Sequence, residues 1–266
     1  MTIFPNAKIN IGLNIVNKRS DGFHDIETVF YPVRLFDTLE FFPNGKNGDS
    51  LEISGIKIPD DGKKNLVIRA LEILRQDFQI PFLDIKLKKN IPFGAGLGGG
   101  SADAAFFLKA LNDEFSLGIP KETLKQKAAI LGSDCAFFIE NYPSFASGRG
   151  EIFTPACRID EKYNIVVIKP AFEISTAFAY SKVKARKPET DLFEDFKKQP
   201  PEWKTLIKND FEEFLFPFYP ELETLKKGLY ESGAVYASLT GSGSALFGIF
   251  DSQPVLKPEI QALRVL

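Results

Sequence analysis

The glycine-rich run at residues 94–100 constrains the fold of this chain more than any other segment, because it places five glycines in seven positions. A strand pattern, LDIKLKK at residues 83–89, precedes the run, and a helix pattern follows it. Between a strand and a helix, backbone amides of such a loop and of the helix N-terminus can converge on a phosphate. The run therefore predicts a phosphate-binding loop at residues 94–101, although an ordinary glycine-rich connection remains an alternative.

Two common phosphate-binding motifs do not fit the run. A Walker A loop requires Gly-Lys-Ser/Thr at its end, and here Gly100 is followed directly by Ser101. Gly94, Gly96 and Gly99 match the bare G-x-G-x-x-G dinucleotide pattern, but the preceding strand alternates polar and apolar residues instead of being apolar on both faces. About 20 residues further on, the chain is still in or just past the same helix, so no second strand carries an acidic ribose-binding residue. The sequence excludes a Walker loop and disfavours a dinucleotide fold.

The rest of the first half mixes strands with helices. Alternating residues predict strands at 7–16 and 26–35, joined through a polar turn as a long antiparallel hairpin. Helical spacing predicts helices at 66–78, behind an N-cap at Asn65, and at 121–130. Together these patterns predict the α+β class.

A turn-rich stretch at 148–158, followed by a new apolar strand, predicts a domain boundary, with one domain at 1–153 and a second at 154–266. Residues 184–205 are charged and contain prolines, which predicts a surface excursion and not a packed element. The chain then continues with a helix, a strand, a glycine-bearing loop at 240–244 and a last strand.

Composition limits the class of partner. The formal net charge is −2 over 266 residues, so no global basic field would attract nucleic acid or an anionic membrane surface. The two cysteines, Cys135 and Cys157, lack a metal-ligand spacing and are too few for a disulfide framework, which favours a reducing cytoplasm. The start of the chain has no basic leader with an apolar region, and no run of about 18 apolar residues occurs. We expect a cytoplasmic protein that binds a small molecule, neither nucleic acid nor a membrane; its oligomeric state stays open.

Several sequence blocks occur together in an order typical of one family. The run GLGGGSADAA resembles the phosphate-binding motif of the GHMP kinase superfamily, and similar blocks are AKINIGLNIV, SDGFHDIETVF, LGSDCAFFI, ASGRGEIFTP and LTGSGSALF. The resemblance spans nearly the whole chain. It implies a two-domain fold, with an N-terminal mixed-sheet nucleotide-binding domain, a C-terminal ferredoxin-like domain and an active site in the cleft between them.

The resemblance also implies an activity. The chain would use ATP and Mg²⁺ to phosphorylate the 2-hydroxyl of a cytidine-diphosphate-linked methylerythritol, a step of isoprenoid-precursor synthesis; the metal ligands are not assigned. Another GHMP kinase, acting on mevalonate, phosphomevalonate or homoserine, is the first alternative, because the glycine loop is common to them all. A nucleotide-binding relative without catalysis is the second.

Lys8 and Asp134 are the catalytic residues that the resemblance implies. Phosphoryl transfer needs positioned phosphates, a group that orients or deprotonates the attacking hydroxyl, and nearby positive charge. Residue pattern alone makes Lys8 a solvated strand lysine. It leaves Asp134, which follows the helix break at Gly132, open between a helix N-cap and a functional carboxylate at the edge of the core. By resemblance, Lys8 would polarise the acceptor hydroxyl and Asp134 would take its proton.

The resemblance assigns the nucleotide to the glycine loop and its flanks. Ser101 could cap the following helix, or contact a phosphate and its metal. Asn65, the expected helix cap, would lie beside the purine. The implied nucleotide-binding residues are Asn65, Pro92, Gly94, Gly96, Leu97, Gly98, Gly99, Gly100 and Ser101.

The acceptor site follows from the same resemblance. Phe23 and Tyr180 match aromatic positions that stack about a cytosine, and such stacking contributes on the order of 1–3 kcal/mol per base. His24 would hydrogen-bond the pyrimidine edge, although its position after an Asp-Gly turn also fits a solvated loop residue. Thr240 fits either a plain hairpin turn or a loop beside the acceptor. The implied acceptor-binding residues are Asn10, Phe23, His24, Tyr180, Thr240 and Gly241.

Two positions depart from the family pattern. Many relatives carry tyrosine where this chain has Phe23, so the ring is kept and the hydrogen bond of the hydroxyl is lost. Cys135-Ala136 stands where Val-Pro is expected, a change that affects packing.

Overall fold

A computed structural model describes residues 1–59 and 62–266. Its strands are β1 (Thr2–Ile3), β2 (Asn6–Lys18), β3 (His24–Phe36), β4 (Thr38–Pro43), β5 (Ser50–Gly55), β6 (Leu83–Lys89), β7 (Ser144–Ser147), β8 (Ile152–Pro155), β9 (Asn164–Ile168), β10 (Tyr236–Leu239) and β11 (Leu246–Phe250). Its helices are α1 (Leu66–Arg75), α2 (Gly99–Glu114), α3 (Lys121–Leu131), α4 (Cys135–Glu140), α5 (Thr176–Lys182), α6 (Leu192–Phe196), α7 (Pro200–Leu206), α8 (Asp210–Leu215), α9 (Pro220–Glu231) and α10 (Pro258–Gln261).

The chain packs as two compact units, each assembled from separate stretches. The first unit comprises Met1–Ala7, Arg34–Phe93 and Gly98–Asn141, and the second comprises Lys8–Val33, Gly94–Leu97 and Tyr142–Leu266. The glycine-rich run passes from the second unit to the first after Leu97. The domain boundary expected after residue 153 stays a prediction, because it concerns one cut in the sequence and not this interleaved packing.

The first unit is a mixed sheet with helices α1 to α4. Its strand order is β1–β4–β6–β5, in which β4 runs antiparallel to β1 and β6, while β5 runs parallel to β6. Alternation in β6 buries Leu83, Ile85 and Leu87, as its pattern predicts. Helix α2 packs against α1, α3 and α4, and its Phe107 meets Phe41 of β4 edge to face, with ring centroids 5.1 Å apart. The sheet that precedes the glycine run is therefore one-sided and mixed, as expected.

The second unit contains two sheets, with strand orders β2–β3–β7–β8 and β10–β11–β9. The strands predicted at 7–16 and 26–35 are β2 and β3, which are neighbours in the first of these sheets. Strands β10 and β11 pair antiparallel and close with Leu239 opposite Leu246, so the loop at 240–244 joins two paired strands. Leu13, Ile168, Phe211 and others form the core of this unit.

Residues 184–205 correct the prediction of a surface excursion. They include α6 and nearly all of α7, whose apolar residues Leu192, Phe196 and Trp203 are buried. The rings of Phe196 and Trp203 stack with centroids 5.0 Å apart, and Trp203 Nε1 donates to the carbonyl of Lys198 at 3.1 Å. The prediction is wrong because these helices are so short that a few apolar residues suffice to bury one side, while the charges occupy the other.

A side-chain cap accounts for the start of one predicted helix, α1. Asn65 accepts a hydrogen bond from the Val67 amide at 2.9 Å, which confirms it as the cap of α1. Helix α1 ends at Arg75, three residues before the predicted end at Phe78.

Among the described residues, no helix combines the length and the apolar character needed to cross a bilayer.

Candidate active site

The glycine-rich run connects β6 to α2, and three of its glycines adopt left-handed φ angles. These are Gly94 at 61°, Gly96 at 75° and Gly98 at 71°. At Gly96, an added Cβ would also collide with the backbone carbonyl oxygen of Thr240. The two backbones approach more closely than any side chain allows, so both conformation and packing require glycine at this position.

The N-terminal turn of α2 presents backbone amides without helical partners. The first bond of the helical ladder near this end runs from the Ala102 amide to the Gly98 carbonyl, at 2.9 Å. The amides of Gly99, Gly100 and Ser101 lie ahead of it, at the positive end of the helix dipole. No acidic residue stands in this first turn, all of which is described. The arrangement favours an anion such as a phosphate group.

Lys8 is buried in β2, with 3% of its surface exposed. It is therefore not the solvated strand lysine that residue pattern alone indicates. Its backbone amide donates to the Leu97 carbonyl at 2.9 Å. Its Nζ donates to Asn10 Oδ1 at 2.6 Å and lies 4.8 Å from the centroid of the Phe30 ring. Because the ammonium is desolvated and held by directed contacts, it is suited to act on a neighbouring charge.

Asn10 connects Lys8 to the loop at 240–244. The Asn10 amide donates to Thr240 Oγ1 at 2.9 Å, and that hydroxyl donates to the Gly96 carbonyl at 3.3 Å. An added Cβ at Gly241 would lie 3.3 Å from Asn10 Oδ1. Thr240 and Gly241 thus belong to a strand connection and also contact predicted site residues, so the two interpretations of this loop are compatible.

Two supporting residues escape the sequence reasoning. Thr28 accepts a hydrogen bond from Asn10 Nδ2 at 3.0 Å, and Asn209 Nδ2 donates to the carbonyls of Leu239 and Gly241, each at 2.9 Å. Thr28 could have been found, because alternation places it on the buried face of β3. Asn209 caps α8, and no local pattern indicates its second contact with the 240–244 loop.

Asp134 occupies the N-cap position of α4 and is half-buried, yet its carboxylate makes no capping hydrogen bond in that helix, which is described throughout. The capping alternative for Asp134 is therefore not realised. The next residue, Cys135, hydrogen-bonds with the Ser101 hydroxyl. Burial raises the pKa of the Cys135 thiol to about 12, so the thiol stays neutral. Ser101 and the segment that carries Asp134 thus lie together in the first unit.

The residues predicted to hold the pyrimidine occupy the second unit. His24 is half-buried, and its ring lies 5.0 Å from that of Tyr180, at an angle of 31°. Burial lowers the pKa of His24, and the positive charge of Lys18 lowers it further, which favours the neutral imidazole. Phe23 is 53% exposed, and the Arg149 guanidinium lies 4.8 Å from the centroid of its ring. The structure brings His24 and Tyr180 together and places Arg149, which the sequence did not single out, on Phe23.

The predicted site residues divide between the two units. Those in the first unit are Asn65, Pro92, Gly98, Gly99, Gly100, Ser101 and Asp134. Those in the second are Lys8, Asn10, Phe23, His24, Gly94, Gly96, Leu97, Tyr180, Thr240 and Gly241.

Known proteins match this chain over almost its full length. The model of the GHMP kinases N terminal domain matches residues 65–141, and that of GHMP kinases C terminal matches residues 192–264. A 4-diphosphocytidyl-2-C-methyl-D-erythritol kinase of Bacteroides fragilis is 49% identical over 265 residues, covering 98% of this chain and 97% of the relative. The chain belongs to the GHMP kinase family. Its sequence resemblance to that family is thereby confirmed.

Further relatives within the GHMP kinases agree. A kinase of the same name from Parabacteroides distasonis is 47% identical, over 97% of this chain and 95% of its own length. A crystal structure of a 4-(cytidine 5'-diphospho)-2C-methyl-D-erythritol kinase is 30% identical, with a TM-score of 0.80, and covers 95% of this chain and 91% of its own. A homoserine kinase from Cytophaga hutchinsonii, at 18% identity, 93% and 85% coverage and a TM-score of 0.63, shares the fold alone. The expected two-domain α+β GHMP kinase fold is confirmed, and the chain is an ATP-dependent small-molecule kinase.

Proposed function

We propose that this GHMP kinase transfers the γ-phosphoryl group of ATP to the 2-hydroxyl of 4-diphosphocytidyl-2-C-methyl-D-erythritol. The observation that carries the proposal is the 49% identity with the Bacteroides fragilis kinase of that name over 98% of this chain. One mevalonate kinase and one homoserine kinase of known structure share 13% and 18% identity with the chain, a similarity that supports a common fold and says nothing of a common acceptor. The reaction would supply isoprenoid-precursor synthesis by the methylerythritol phosphate route, in the cytoplasm.

In this proposal, Asp134 removes the proton of the 2-hydroxyl. The electron pair left on that oxygen attacks the γ-phosphorus of ATP, the bond from that phosphorus to the β,γ-bridging oxygen breaks, and ADP leaves. Lys8 polarises the acceptor hydroxyl and offsets negative charge that develops during transfer. Support for the role of Lys8 comes from its burial and from its hydrogen bond to Asn10.

The nucleotide would bind along the glycine loop and the start of α2. We infer that the amides of Gly99, Gly100 and Ser101 receive phosphate oxygens, and that Gly94 to Leu97 shape the loop around them. Pro92 lies between the end of β6 and the glycine loop and would border the nucleotide there. Asn65 uses its Oδ1 to cap α1, and its side-chain Nδ2 group would contact the purine. In sequence terms, this loop belongs to the proposed first domain, 1–153, and the 240–244 loop to the second, 154–266.

Mg²⁺ would arrive with ATP. In phosphoryl transfer, this ion usually keeps several waters and is held through one or two carboxylates and the nucleotide's own phosphates. Within the described ranges, no three His, Cys, Asp or Glu side chains gather as a cation site. The Ser101 hydroxyl, in the first turn of α2, would supply a protein ligand, and the ion would neutralise phosphate charge.

The cytidyl end of the acceptor would be held by aromatic rings. We infer that the pyrimidine stacks on Tyr180 and Phe23, and that neutral His24 hydrogen-bonds its edge. Thr240 and Gly241, which contact Asn10, would line the path of the acceptor beside the glycine loop. The 5.0 Å pair of His24 and Tyr180 supports this role, because both groups needed for one base are neighbours.

A coupled assay that follows ADP release tests the proposal. The purified chain is offered ATP and Mg²⁺ with 4-diphosphocytidyl-2-C-methyl-D-erythritol, mevalonate, phosphomevalonate or homoserine in turn. We expect turnover with the first acceptor alone. Preferred turnover of any other acceptor would show that the chain has the activity of another GHMP kinase. ATP binding without phosphoryl transfer would show that it is a non-catalytic relative.

A further inference from the structure

Asn209 is a buried side chain of the second unit that contacts both helix α8 and the loop at 240–244. It is 2% exposed and stands directly before the first residue of α8. Its Oδ1 accepts from the Phe211 amide at 3.0 Å, which caps the helix. Its Nδ2 donates to the carbonyls of Leu239 and Gly241, each at 2.9 Å. The oxygen and both hydrogens of this amide group thus have partners.

The two carbonyls that Asn209 holds belong to the residues on either side of Thr240. One amide group therefore fixes the backbone before and after this buried threonine, and the position of its side chain depends on that backbone. The Thr240 hydroxyl accepts from the Asn10 amide at 2.9 Å and donates to the Gly96 carbonyl at 3.3 Å. Asn10 Oδ1 in turn accepts from Lys8 Nζ at 2.6 Å. A series of contacts thus leads from Asn209 to the ammonium to which we assign activation of the acceptor.

The segment that carries Asn209 is itself anchored to β2. The Leu13 amide donates to the carbonyl of Lys208 at 2.9 Å, and Leu13 and Asn209 form a parallel bridge. The Ile15 amide donates to Asp210 Oδ2 at 2.8 Å. Asn209 therefore connects the two elements, β2 and the loop that follows β10, whose side chains we assign to the acceptor.

Capping alone does not explain why this residue is an asparagine. Serine, threonine and aspartate are also strongly preferred at helix caps. Among these residue types, asparagine alone supplies an oxygen that accepts from the helix and an amino group that donates twice. A buried carbonyl that loses its partner costs free energy, so the contact with the 240–244 loop accounts for the identity of Asn209.

We propose that Asn209 is a positioning residue for the acceptor, which holds the 240–244 loop where the 2-hydroxyl meets Lys8. This inference rests on the proposed function. The two bonds from Nδ2 should act on the methylerythritol end of the acceptor, beside that loop, and not on the cytidyl end at Tyr180. Loss of these bonds should therefore impair phosphoryl transfer to the acceptor without weakening recognition of its base.

Asn209→Ser and Asn209→Asp keep an oxygen that can cap α8 and remove the group that donates to the loop. We expect kcat/KM for the proposed acceptor to fall by at least about tenfold in both, because a small misplacement of reacting groups is costly. Binding of cytidine diphosphate should be unchanged, since both variants keep the cap at Phe211, whose ring packs against Tyr180. Binding of ATP should also be unchanged, because the Leu97 carbonyl accepts from the Lys8 amide independently of Asn209.

Asp191→Ala is the matched control. Asp191 caps α6 in the same unit, where its Oδ1 accepts from the amides of Phe193 and Glu194 at 2.9 and 3.2 Å. Loss of this cap should lower the free energy of unfolding and leave kcat/KM as in the unaltered chain. The control thereby separates destabilisation of the second unit from misplacement of the loop.

Steady-state kinetics with 4-diphosphocytidyl-2-C-methyl-D-erythritol gives kcat/KM, and calorimetric titration of the full chain gives the affinities for cytidine diphosphate and for ATP with Mg²⁺. A merely structural role would weaken all three quantities, or none. Amide hydrogen exchange of residues 239–245 in the unliganded chain tests the two bonds directly. It should become faster in both Asn209 variants and stay unchanged in Asp191→Ala. If Asn209→Asp fails to fold, Asn209→Ser decides alone.

The inference would be overturned by a kcat/KM equal to that of the unaltered chain, or by unchanged hydrogen exchange in the Asn209 variants. An affinity for cytidine diphosphate that falls in parallel with kcat/KM would overturn it as well. Absence of acceptor turnover in the unaltered chain, combined with faster exchange in the variants, would count against the proposed function alone.

Discussion

The backbone amide of Lys8 donates to the carbonyl oxygen of Leu97 over 2.9 Å. One hydrogen bond thus connects the strand that carries the proposed acceptor-activating ammonium to the loop proposed to hold phosphate. Substitution of the Lys8 side chain leaves this backbone bond in place. The chemical role of the ammonium can therefore be tested without removing the connection.

Lys8→Met and Asp134→Asn test the proposed catalytic roles. We expect each to lower kcat by about 10²–10⁴-fold, because a proton acceptor or a charge acting on the transferring group is removed. The dissociation constant for ATP should change little. Steady-state kinetics and calorimetric titration measure the two quantities, with the exposed Lys86→Met as control. Full turnover by Asp134→Asn would refute its role as the base.

Gly96→Ala tests the close approach of the glycine loop to the 240–244 loop. The new Cβ would collide with the Thr240 carbonyl oxygen in addition to straining a φ of 75°. Gly118→Ala is the matched control, because Gly118 has a φ of 67° and open space around it. We expect Gly118→Ala to lose about 1–2 kcal/mol of unfolding free energy, and Gly96→Ala to lose more and also to bind ATP weakly. Equal losses in urea denaturation would show that the approach is unimportant.

Tyr180 tests the cytidyl assignment. Tyr180→Ala removes a stacking ring and should weaken binding of cytidine diphosphate several-fold or more, since base stacking contributes on the order of 1–3 kcal/mol. Tyr180→Phe keeps the ring and should bind like the unaltered chain. Isothermal titration calorimetry with cytidine diphosphate compares the unaltered chain, Tyr180→Ala and Tyr180→Phe. An unchanged affinity in Tyr180→Ala would count against recognition of the base at this ring.

His24 predicts a pH dependence of acceptor binding. Because burial lowers the pKa of His24, the imidazole is neutral at pH 7 and takes up a proton at a lower pH than an ordinary histidine does. A neutral ring can accept a hydrogen bond from the cytosine amino group, and a protonated one cannot. The KM for the acceptor should be constant where His24 is neutral and should rise as the pH falls and the ring becomes protonated. His24→Asn should lack this rise; a rise that persists in the variant must come from another group.

Trp203 tests the packing of residues 184–205. It is the single tryptophan of the chain, and it is 1% exposed. The intrinsic fluorescence should therefore be that of a buried indole, shifting to longer wavelength on unfolding. Trp203→Ala should lower the unfolding free energy by about 3–5 kcal/mol, whereas the exposed Thr205→Ala should have a small effect. A solvent-exposed emission spectrum in the native protein would restore the original prediction of a surface excursion.

Local pattern was sufficient for part of the fold. The alternation of β6, the glycines after it and the helical spacing of α2 all lie within one stretch of chain, and the sequence states them directly. The burial of Lys8 could not be read in the same way. It arises from Leu97 and Phe30, which are distant in sequence. A residue's immediate neighbours do not specify such contacts, and family resemblance supplied the role that local pattern would have missed.

The loop at 240–244 and the buried ion pairs of Lys89 with Asp37 and Asp103 illustrate the same limit. Asn10 and Thr240 are in contact, yet they stand at opposite ends of the sequence, so neither predicts the other. Lys89 and Asp103 flank the glycine loop and could have been suspected as a pair, but Asp37 could not. The helices within 184–205 were missed for another reason: their apolar periodicity extends over only one or two turns, which is too short to indicate a helix.

The interleaved origin of the second unit has a consequence for synthesis on the ribosome. Strand β3 pairs with β7, with Thr28 opposite Ala146, so the edge of β3 that β7 will cover emerges long before its partner has been translated. During that interval the nascent chain presents unpaired amides and carbonyls, which are sites for association with other chains. A message truncated before β7 should therefore yield an aggregating product, and chaperone demand should fall once translation has passed that strand.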